Sequence, residues 1–371
     1  MSSSPNQVAS APRIAVVIVT YNNREEIAPC LESLLVTPEP LDIVVVDNAS
    51  ADGTLSYVQT SYPTVRAVAR GHNAGFGAGV NHGIALTTAP YIVVLNPDTI
   101  VEEGGLTALI DALHYPGVGL VTPTVVLADQ PTQMNARGNT VHLTGLTFCA
   151  GLGGPVPTRD ADPHSVAAIS GAAFGVTRQV WDELNGFDER FFLYLEDTDL
   201  SLRVRRLGYD ILYVPASRVR HHYRVRVGAH KLYHLERNRH LMLRKNLSPY
   251  ALALLSPALL LTEVLTWLYA LREGPATCRA KLHAYRRSWR ERHLVTSAPR
   301  KKDWSEREAD LALLYVMTTR LSLEQLQGGL AVRLVNGVLT AFYGRCRALV
   351  LLAFGSRANP CPASVATPRR P

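Results

Sequence analysis

The chain has 371 residues, 47% of them hydrophobic, and 38 Lys+Arg against 31 Asp+Glu give a net charge of +7. That length holds one large α/β domain with added material, or two domains, and the apolar fraction excludes a disordered polyelectrolyte. The mild basic excess suits an anionic partner (nucleic acid, a membrane surface or a phosphorylated substrate) without choosing among them. Cys30, Cys149, Cys278, Cys346 and Cys361 are scattered, with no CxxC pair. This argues against a disulfide framework or a zinc site and for a reducing compartment. The polar start MSSSPNQVASAPR and the short apolar run Ile14–Val19 give no signal peptide, so the expected setting is cytoplasmic.

Residues 1–12 read as a disordered leader rich in Ser, Pro and Ala. Short apolar runs follow at Ile14–Val19, Ile43–Val46, Val65–Ala69, Tyr91–Leu95 and Val118–Val121. Helical spacing separates them: Ile27, Leu31, Leu34 and Leu35 share one face, and Leu106, Leu109, Ile110 and Leu113 another. Strands without polar alternation, separated by helices, predict a mainly parallel sheet covered on both faces. From about Val125 to Val166 the Gly, Pro and Thr-rich sequence reads as loops and irregular strands. Ile169–Val176 restores a clear element, followed by a helix at Arg178–Leu184. Next comes a helix with Leu200, Val204 and Leu207 on one face and Gly208 just past its end. Arg203, Arg205 and Arg206 on that helix read mostly as a solvated face. Ile211–Val214 is the last strand expected.

Composition changes after Leu247. The stretch LSPYALALLSPALLLTEVLTWLYAL carries one charge, Glu263, and CRAKLHAYRRSWRERH after it is basic and aromatic. Pro249, Pro257 and Glu263 weaken a bilayer span. An interfacial hairpin or amphipathic helix on anionic lipid is preferred over a span and over ordinary packed helices. Residues 247–302 are thus set apart as membrane-associated helices. Residues 303–371 are read as helical to about Phe354, with a disordered tail.

Ligands of a parallel sheet sit at the carboxyl ends of its strands. Polar groups cluster there: Thr20-Tyr21-Asn22, Asp47-Asn48 and Asn96-Pro97-Asp98. Each alone passes as a turn. Together they favour a site. GHNAGFGAGVNHG (71–83) does not fit GxGxxG and does not follow the first strand, so a nicotinamide cofactor is disfavoured. Its glycines serve either close packing of a helix on the sheet or the approach of a diphosphate to a helix start.

TYNNREEIAPCLESLL, IVVVDNASADGT, GHNAGFGAGVNHGI, YIVVLNPDTIVEEGG, SGAAFGVTRQVWDELNGFDERFFLYLEDTDLSLRVRRLGY and YVPASRVRHH, in this order over about residues 13–245, resemble the blocks of family 2 glycosyltransferases. The rhamnosyltransferase-like branch is the nearest match. The resemblance implies a GT-A fold, with residues 13–125 as the nucleotide-sugar half, 126–246 as the acceptor half, and a C-terminal helical extension. It places Thr20, Asn22, Asp47, Asn73, Asn96 and Asp98 around the nucleotide sugar. It makes Asp98 a metal-binding acid, with Asn96 standing where many members have a second acid. It makes His221 (rather than its neighbour His222) a further metal ligand, and Mg²⁺ or Mn²⁺ the cofactor. Asp197 holds the position of the base and Glu196 stands beside it. A plain reading of Glu196, Asp197 and Asp199 is that acids favour a helix N-terminus.

The resemblance implies an inverting transfer, with dTDP-L-rhamnose as donor and a cell-envelope glycan or lipid-linked saccharide as acceptor. The enzyme would sit peripherally at the inner face of an anionic membrane. A galactofuranosyl or hexosyl donor is the alternative within the class. A basic module binding membrane or nucleic acid without catalysis is the rival of another class, but basic sequence does not require acids gathered at strand ends. A nucleic-acid partner is therefore not expected.

Overall fold

The structure is a computed structural model that describes residues 13–223, 228–322 and 330–355, with side chains from 334 onward in the last stretch. The expected leader and tail lie outside these residues. The first half alternates strand and helix: β1 (Ile14–Thr20), α1 (Ile27–Leu35), β2 (Leu41–Asp47), α2 (Thr54–Ser61), β3 (Arg66–Ala69), α3 (Phe76–Ala85) and β4 (Tyr91–Leu95). Next come β5 (Thr99–Val101), α4 (Gly105–Ala112) and β6 (Val118–Leu127). The middle carries β7 (Gln130–Ala136), β8 (Asn139–Val141), β9 (Thr147–Cys149), β10 (His164–Ser165) and β11 (Ala173–Thr177). Then follow α5 (Arg178–Leu184), α6 (Glu196–Arg206), β12 (Asp210–His221) and α7 (Ala229–Asn246). The C-terminal helices are α8 (Pro249–Leu254), α9 (Ser256–Glu273), α10 (Pro275–Glu291), α11 (Glu306–Val316) and α12 (Leu330–Ala353).

The main sheet runs β10-β12-β6-β11-β4-β1-β2-β3, with β5 on β12 and β7 on β6. Strands β3, β2, β1 and β4 are parallel, and β6 is parallel to β12. Strand β11 is the exception inside the sheet: it runs antiparallel to both β4 and β6. From β1 the chain first winds outward through β2 and β3, then returns to β4 on the other side. That reversal opens a crevice beyond the carboxyl ends of β1 and β4. All seven residues of β1 are buried, as strands sandwiched between helices require. This is the mainly parallel, helix-flanked α/β fold with C-terminal helices that the sequence leads one to expect.

The glycines of 71–83 serve packing. A Cβ on Gly79 would meet Val19 at 2.7 Å, and one on Gly83 would meet Val17 at 2.5 Å, so α3 lies closer to the sheet than any larger residue allows. Two expectations need correction. The strand expected at Val118–Val121 runs on to Leu127, past the start near Val125 of the expected loops and irregular strands, and pairs with β7 and β12. Thr122 and Thr124 lie within it fully buried, because their hydroxyls bond Ala173 O and Tyr213 Oη. Nor do the arginines of α6 face solvent. Arg203 pairs with Asp199 at 2.8 Å, Arg205 with Asp210 at 2.5 Å, and Arg206 with Glu306 at 3.0 Å. Each is at least 96% buried. Periodicity assigns a charged residue to the outer face. Here different partners cover each one: Asp199 and the carbonyls of Leu184 and Gly186 take Arg203, Asp210 takes Arg205, and α11 with the segment after α10 takes Arg206.

The C-terminal helices pack on α6 and α7 through a second core that includes Leu241, Met242, Leu255, Leu313, Leu314, Tyr343 and Val350. A buried ionic hub joins α7, α9 and α10. Glu236 and Glu263 receive Arg239, His240, Lys281 and the Tyr285 hydroxyl. Burial alone would raise the Glu263 carboxyl, but His240, Arg239, Tyr285 and Lys281 outweigh it and hold it well below the usual carboxylate range. So Glu263, the one charge of the apolar stretch, binds these helices to the domain. Among the described residues, no helix is long and apolar enough to cross a membrane.

Candidate active site

Three strand ends meet at the crevice. Thr20 closes β1 with its hydroxyl on Asn23 Oδ1 at 3.3 Å, and it is fully buried, so its side chain holds the loop. Asn22, exposed and left-handed (φ 58°), ties this loop to the next: its amide donates to Ser50 Oγ at 2.9 Å, and its Oδ1 accepts from the Ala51 amide at 2.8 Å. Asp47 ends β2. One oxygen accepts from the Ser50 amide at 3.0 Å; the other, Oδ1, is buried without a hydrogen-bond partner among the described residues. Asn73 receives the Gly75 amide at 2.9 Å and so shapes the turn into α3. The Asn96 amide bonds Ala172 O at 2.9 Å.

The turn after β4 feeds β5, which pairs antiparallel with the end of β12 and sets His221 opposite Thr99. That register brings Asp98 Oδ1 to 3.4 Å from His221 Nε2. The contact is no hydrogen bond, and Asp98 Oδ1 is buried without one. The opposite nitrogen, Nδ1, lies 2.8 Å from Asn135 Oδ1; donating its proton there, the neutral imidazole would turn the Nε2 lone pair toward the carboxylate. Two lone-pair donors facing each other with a bonded second nitrogen behind are what a divalent cation needs. The chemistry of this pair fits Mg²⁺ or Mn²⁺, with Asn135 orienting the imidazole. His222 turns away, 3.6 Å from the exposed Asp129. Glu236, His240 and Glu263 also bring ligand atoms within 4.8 Å of one another. Arg239 and Lys281 already neutralise them, which leaves a cation little to gain.

Glu196 and Asp197 enter from the other side. Phe192, Tyr194 and Leu195 before them all have positive φ (62°, 67° and 65°). Each such non-glycine residue costs about 1–2 kcal/mol. Asn238 of α7 holds the segment: its fully buried amide donates to Phe191 O, Leu193 O and Tyr194 O at 2.8, 2.9 and 2.7 Å. Phe192 O also accepts the Phe76 amide at 2.8 Å, and a Cβ on Gly75 would strike that oxygen at 2.2 Å. The glycine motif and the acid segment are therefore locked together.

The three acids of this helix start differ. Burial would raise Asp199, but Arg203 and Lys245, each at 2.8 Å, hold it below the usual range. Glu196 has no cation. Burial first, then Asp197 and Asp199, push it up to about 8, and its Oε2 has no hydrogen-bond partner. Asp197 is also raised by burial, against the pull of its donors: Gly171 N at 2.9 Å, Asn139 Nδ2 at 3.2 Å and Thr198 N at 2.6 Å. These donors favour its charged form. Of the two, Glu196 is the one burial and its acidic neighbours drive toward the protonated form, while the donors around Asp197 favour its charge. A helix-capping role does not account for the orphaned Glu196 Oε2.

With this geometry in place, the comparisons with known proteins decide the family. The sequence model described as "Glycosyltransferase like family 2" matches residues 12–242. The chain belongs to this glycosyltransferase family. It is 31% identical over 233 residues to the N-acetylglucosaminyl-diphospho-decaprenol L-rhamnosyltransferase of Mycobacterium tuberculosis, covering 56% of this chain and 76% of that one. It is 24% identical over 223 residues to the rhamnosyltransferase WbbL of Escherichia coli K12, covering 56% and 83%. The solved structure of GalNAc-T7 with UDP, GalNAc and Mn²⁺ superposes with a TM-score of 0.53 at 17% identity, over 78% of this chain and 55% of that one. That is a likeness of fold.

Sequence reasoning missed the groups that hold this glycosyltransferase's acids: Asn135 behind His221, Asn139 and Gly171 behind Asp197, and Asn238 behind the strained segment. They lie on β7, β8, the approach to β11 and α7, and no local pattern marks them. We expect Asn238→Asp, which sets a carboxylate against three carbonyl oxygens, to lower kcat at least tenfold and stability by about 1–3 kcal/mol. Turnover measured beside urea denaturation checks this. A variant with normal kcat would show that the strained segment does not need the amide.

Proposed function

We propose that this chain is an inverting rhamnosyltransferase that moves L-rhamnose from dTDP-L-rhamnose to a hydroxyl of a lipid-linked or cell-envelope glycan. The observation that carries the reading is the trio of buried, unpartnered acid oxygens at the crevice: Asp47 Oδ1, Asp98 Oδ1 and Glu196 Oε2. Three such oxygens at one crevice are groups that a ligand or ion would partner. The names of the M. tuberculosis and E. coli relatives support rhamnose as the sugar.

Asp47 suits the pyrimidine or ribose, since it ends the strand beside the crevice. Asp98 and His221 are the residues that would hold the metal. Bound there, Mg²⁺ or Mn²⁺ would neutralise the charge that builds on the leaving diphosphate. On the far side Asp197 takes the proton of the acceptor hydroxyl. The hydroxyl oxygen bonds the anomeric carbon as the bond from that carbon to the diphosphate oxygen breaks, and one displacement inverts the centre to give an α-rhamnoside. Glu196, protonated, donates a hydrogen bond to the acceptor. The donors that favour charge on Asp197, and the lack of any on Glu196 Oε2 among the described residues, support these roles of base and donor.

Peripheral attachment to the cytoplasmic face of a membrane is supported by α9, where Leu260, Val264, Leu268 and Leu271 form an exposed stripe at helical spacing. Exposed Arg279, Arg286, Arg287 and Arg290 on α10 suit anionic headgroups.

Three outcomes are expected. In a thermal-shift panel with Mg²⁺ or Mn²⁺, dTDP-L-rhamnose should raise the Tm above that given by UDP-hexoses. At about 100 Kd the gain is about 2.7 kcal/mol. Asp98→Ala should lose the metal-dependent part, and a metal-independent shift in both proteins would remove the assignment.

The acid pair is tested by pH. Rate should rise as Asp197 ionises, above the ordinary aspartate range, and fall as Glu196 loses its proton near pH 8. Glu196→Gln, still a donor, should lose the alkaline limb with a small drop in rate. Asp197→Asn should lose about 10²–10⁴. Normal turnover by Asp197→Asn would move the base elsewhere.

The third outcome concerns lipid. Protein should sediment with anionic vesicles at low salt and release at high salt, and Leu260→Asp/Leu268→Asp should not sediment. Equal sedimentation of both proteins would clear α9 of this role.

A further inference from the structure

Among the described residues, seven lysines and arginines are buried below the surface: Arg203, Arg205, Arg206, Arg237, Arg239, Lys245 and Lys281. Each pairs with a carboxylate. Lys231 breaks this pattern. It is half-buried in the first turn of α7, and no carboxylate among the described residues pairs with it. Its ammonium instead lies over two aromatic faces, 5.0 Å from the Tyr194 ring and 6.0 Å from the Tyr223 ring. Cation–π contact at such distances returns only part of the lost hydration. Burial accordingly lowers its pKa.

Its place between the two acid groups is informative. Tyr223 stacks near His221, with ring centroids 5.7 Å apart, so one neighbour of Lys231 borders the Asp98–His221 pair. Tyr194 directly precedes Leu195 and Glu196, so the other borders the carboxylate pair. Cys149, whose sulfur lies 3.9 Å from Tyr223 Oη, feels both Asp197 and Lys231. His234, one turn along α7, stacks on Phe192 at 5.5 Å and is 8% exposed, and its Nδ1 is buried without a partner. Burial keeps that imidazole neutral, at about 4, so as its Nδ1–H tautomer it adds an unfilled donor to the same wall.

We infer that Lys231, framed by Tyr194 and Tyr223, is a binding site for a diphosphate group lying between the Asp98–His221 pair and the Glu196–Asp197 pair. It rests on the reading of this crevice as one that handles sugar diphosphates. Two sources share that chemistry: the leaving diphosphate of the donor, and a diphosphate on the acceptor. A lysine is a compact charge on a flexible stem and follows a phosphate whose charge grows. The two tyrosine rings exclude water around it, so the ion pair is stronger than at an open surface.

The experiment uses the full chain, Lys231→Met and Lys231→Gln. Calorimetry with Mg²⁺ measures dTDP and inorganic pyrophosphate binding. Steady-state transfer is measured on one saccharide presented with a lipid diphosphate and as a simple alkyl glycoside. Loss of a charged hydrogen bond is worth about 10- to 10²-fold. A loss of that size in dTDP and pyrophosphate affinity, with both acceptors slowed alike, assigns the site to the donor. A loss confined to the diphosphate-bearing acceptor, with dTDP binding intact, assigns it to the acceptor. Variants that bind and transfer within about twofold of wild type on every arm overturn the inference. Wild type that binds no nucleoside diphosphate at all overturns the underlying reading of the crevice instead. If Lys231→Met does not fold, the polar Lys231→Gln decides on the same readouts.

Discussion

Three consecutive residues, Ser170, Gly171 and Ala172, hold the two halves of this site in register. Ala172 O accepts the Asn96 amide at 2.9 Å, and the Gly171 amide donates to Asp197 Oδ2 at 2.9 Å. The turn that presents Asp98 and the helix start that presents Asp197 are thus tied to neighbouring peptide units. This is possible because β11 enters antiparallel between β4 and β6 and so starts where β4 ends. A parallel strand there would begin at the opposite edge of the sheet. A Cβ on Gly171 would lie 3.1 Å from Asp197 Oδ2, so a side chain there would press on that carboxylate.

Charge is distributed with the same economy. Three acids open α6, and the helix N-terminus favours them all. Only Asp199 receives cations, and it is the one held in its charged state. Glu196 and Asp197 receive none among the described residues, so burial moves both upward. The arginines one turn later are consumed by Asp199, Asp210 and the C-terminal segments. Had they faced the acid pair, Asp197 would be a weaker base.

The C-terminal helices therefore do more than extend the domain. They bury α6 and α7, and α7 supplies Asn238, which restrains three left-handed residues whose combined strain is several kcal/mol. Phe191, 1% exposed, and Leu195, 6% exposed, anchor the same segment in the second core. Strain at one end of α6 is offset by packing at the other side of α7. The ionic hub around Glu236 and Glu263 fixes α7 against α9 and α10.

Much of this was legible in the sequence where the signal is local. Tyr91–Leu95 is a strand with those bounds, because five apolar residues end at a proline turn. Arg178–Leu184 is likewise a helix with those bounds, started by the Thr177 cap. The strand-end acids Asp47 and Asp98 follow from the same pattern, and the glycosyltransferase family follows from its ordered blocks. Tertiary structure alone decided what depends on distant partners. That Asp98 and His221 face each other came from the register of β5 on β12. The burial of Arg203, Arg205 and Arg206 came from the segments that cover α6. The packed state of the apolar stretch came from Glu263 meeting cations on α7 and α10. A sequence encodes which residues prefer an interior, but the identity of the group on the other side is fixed only when the chain closes on itself.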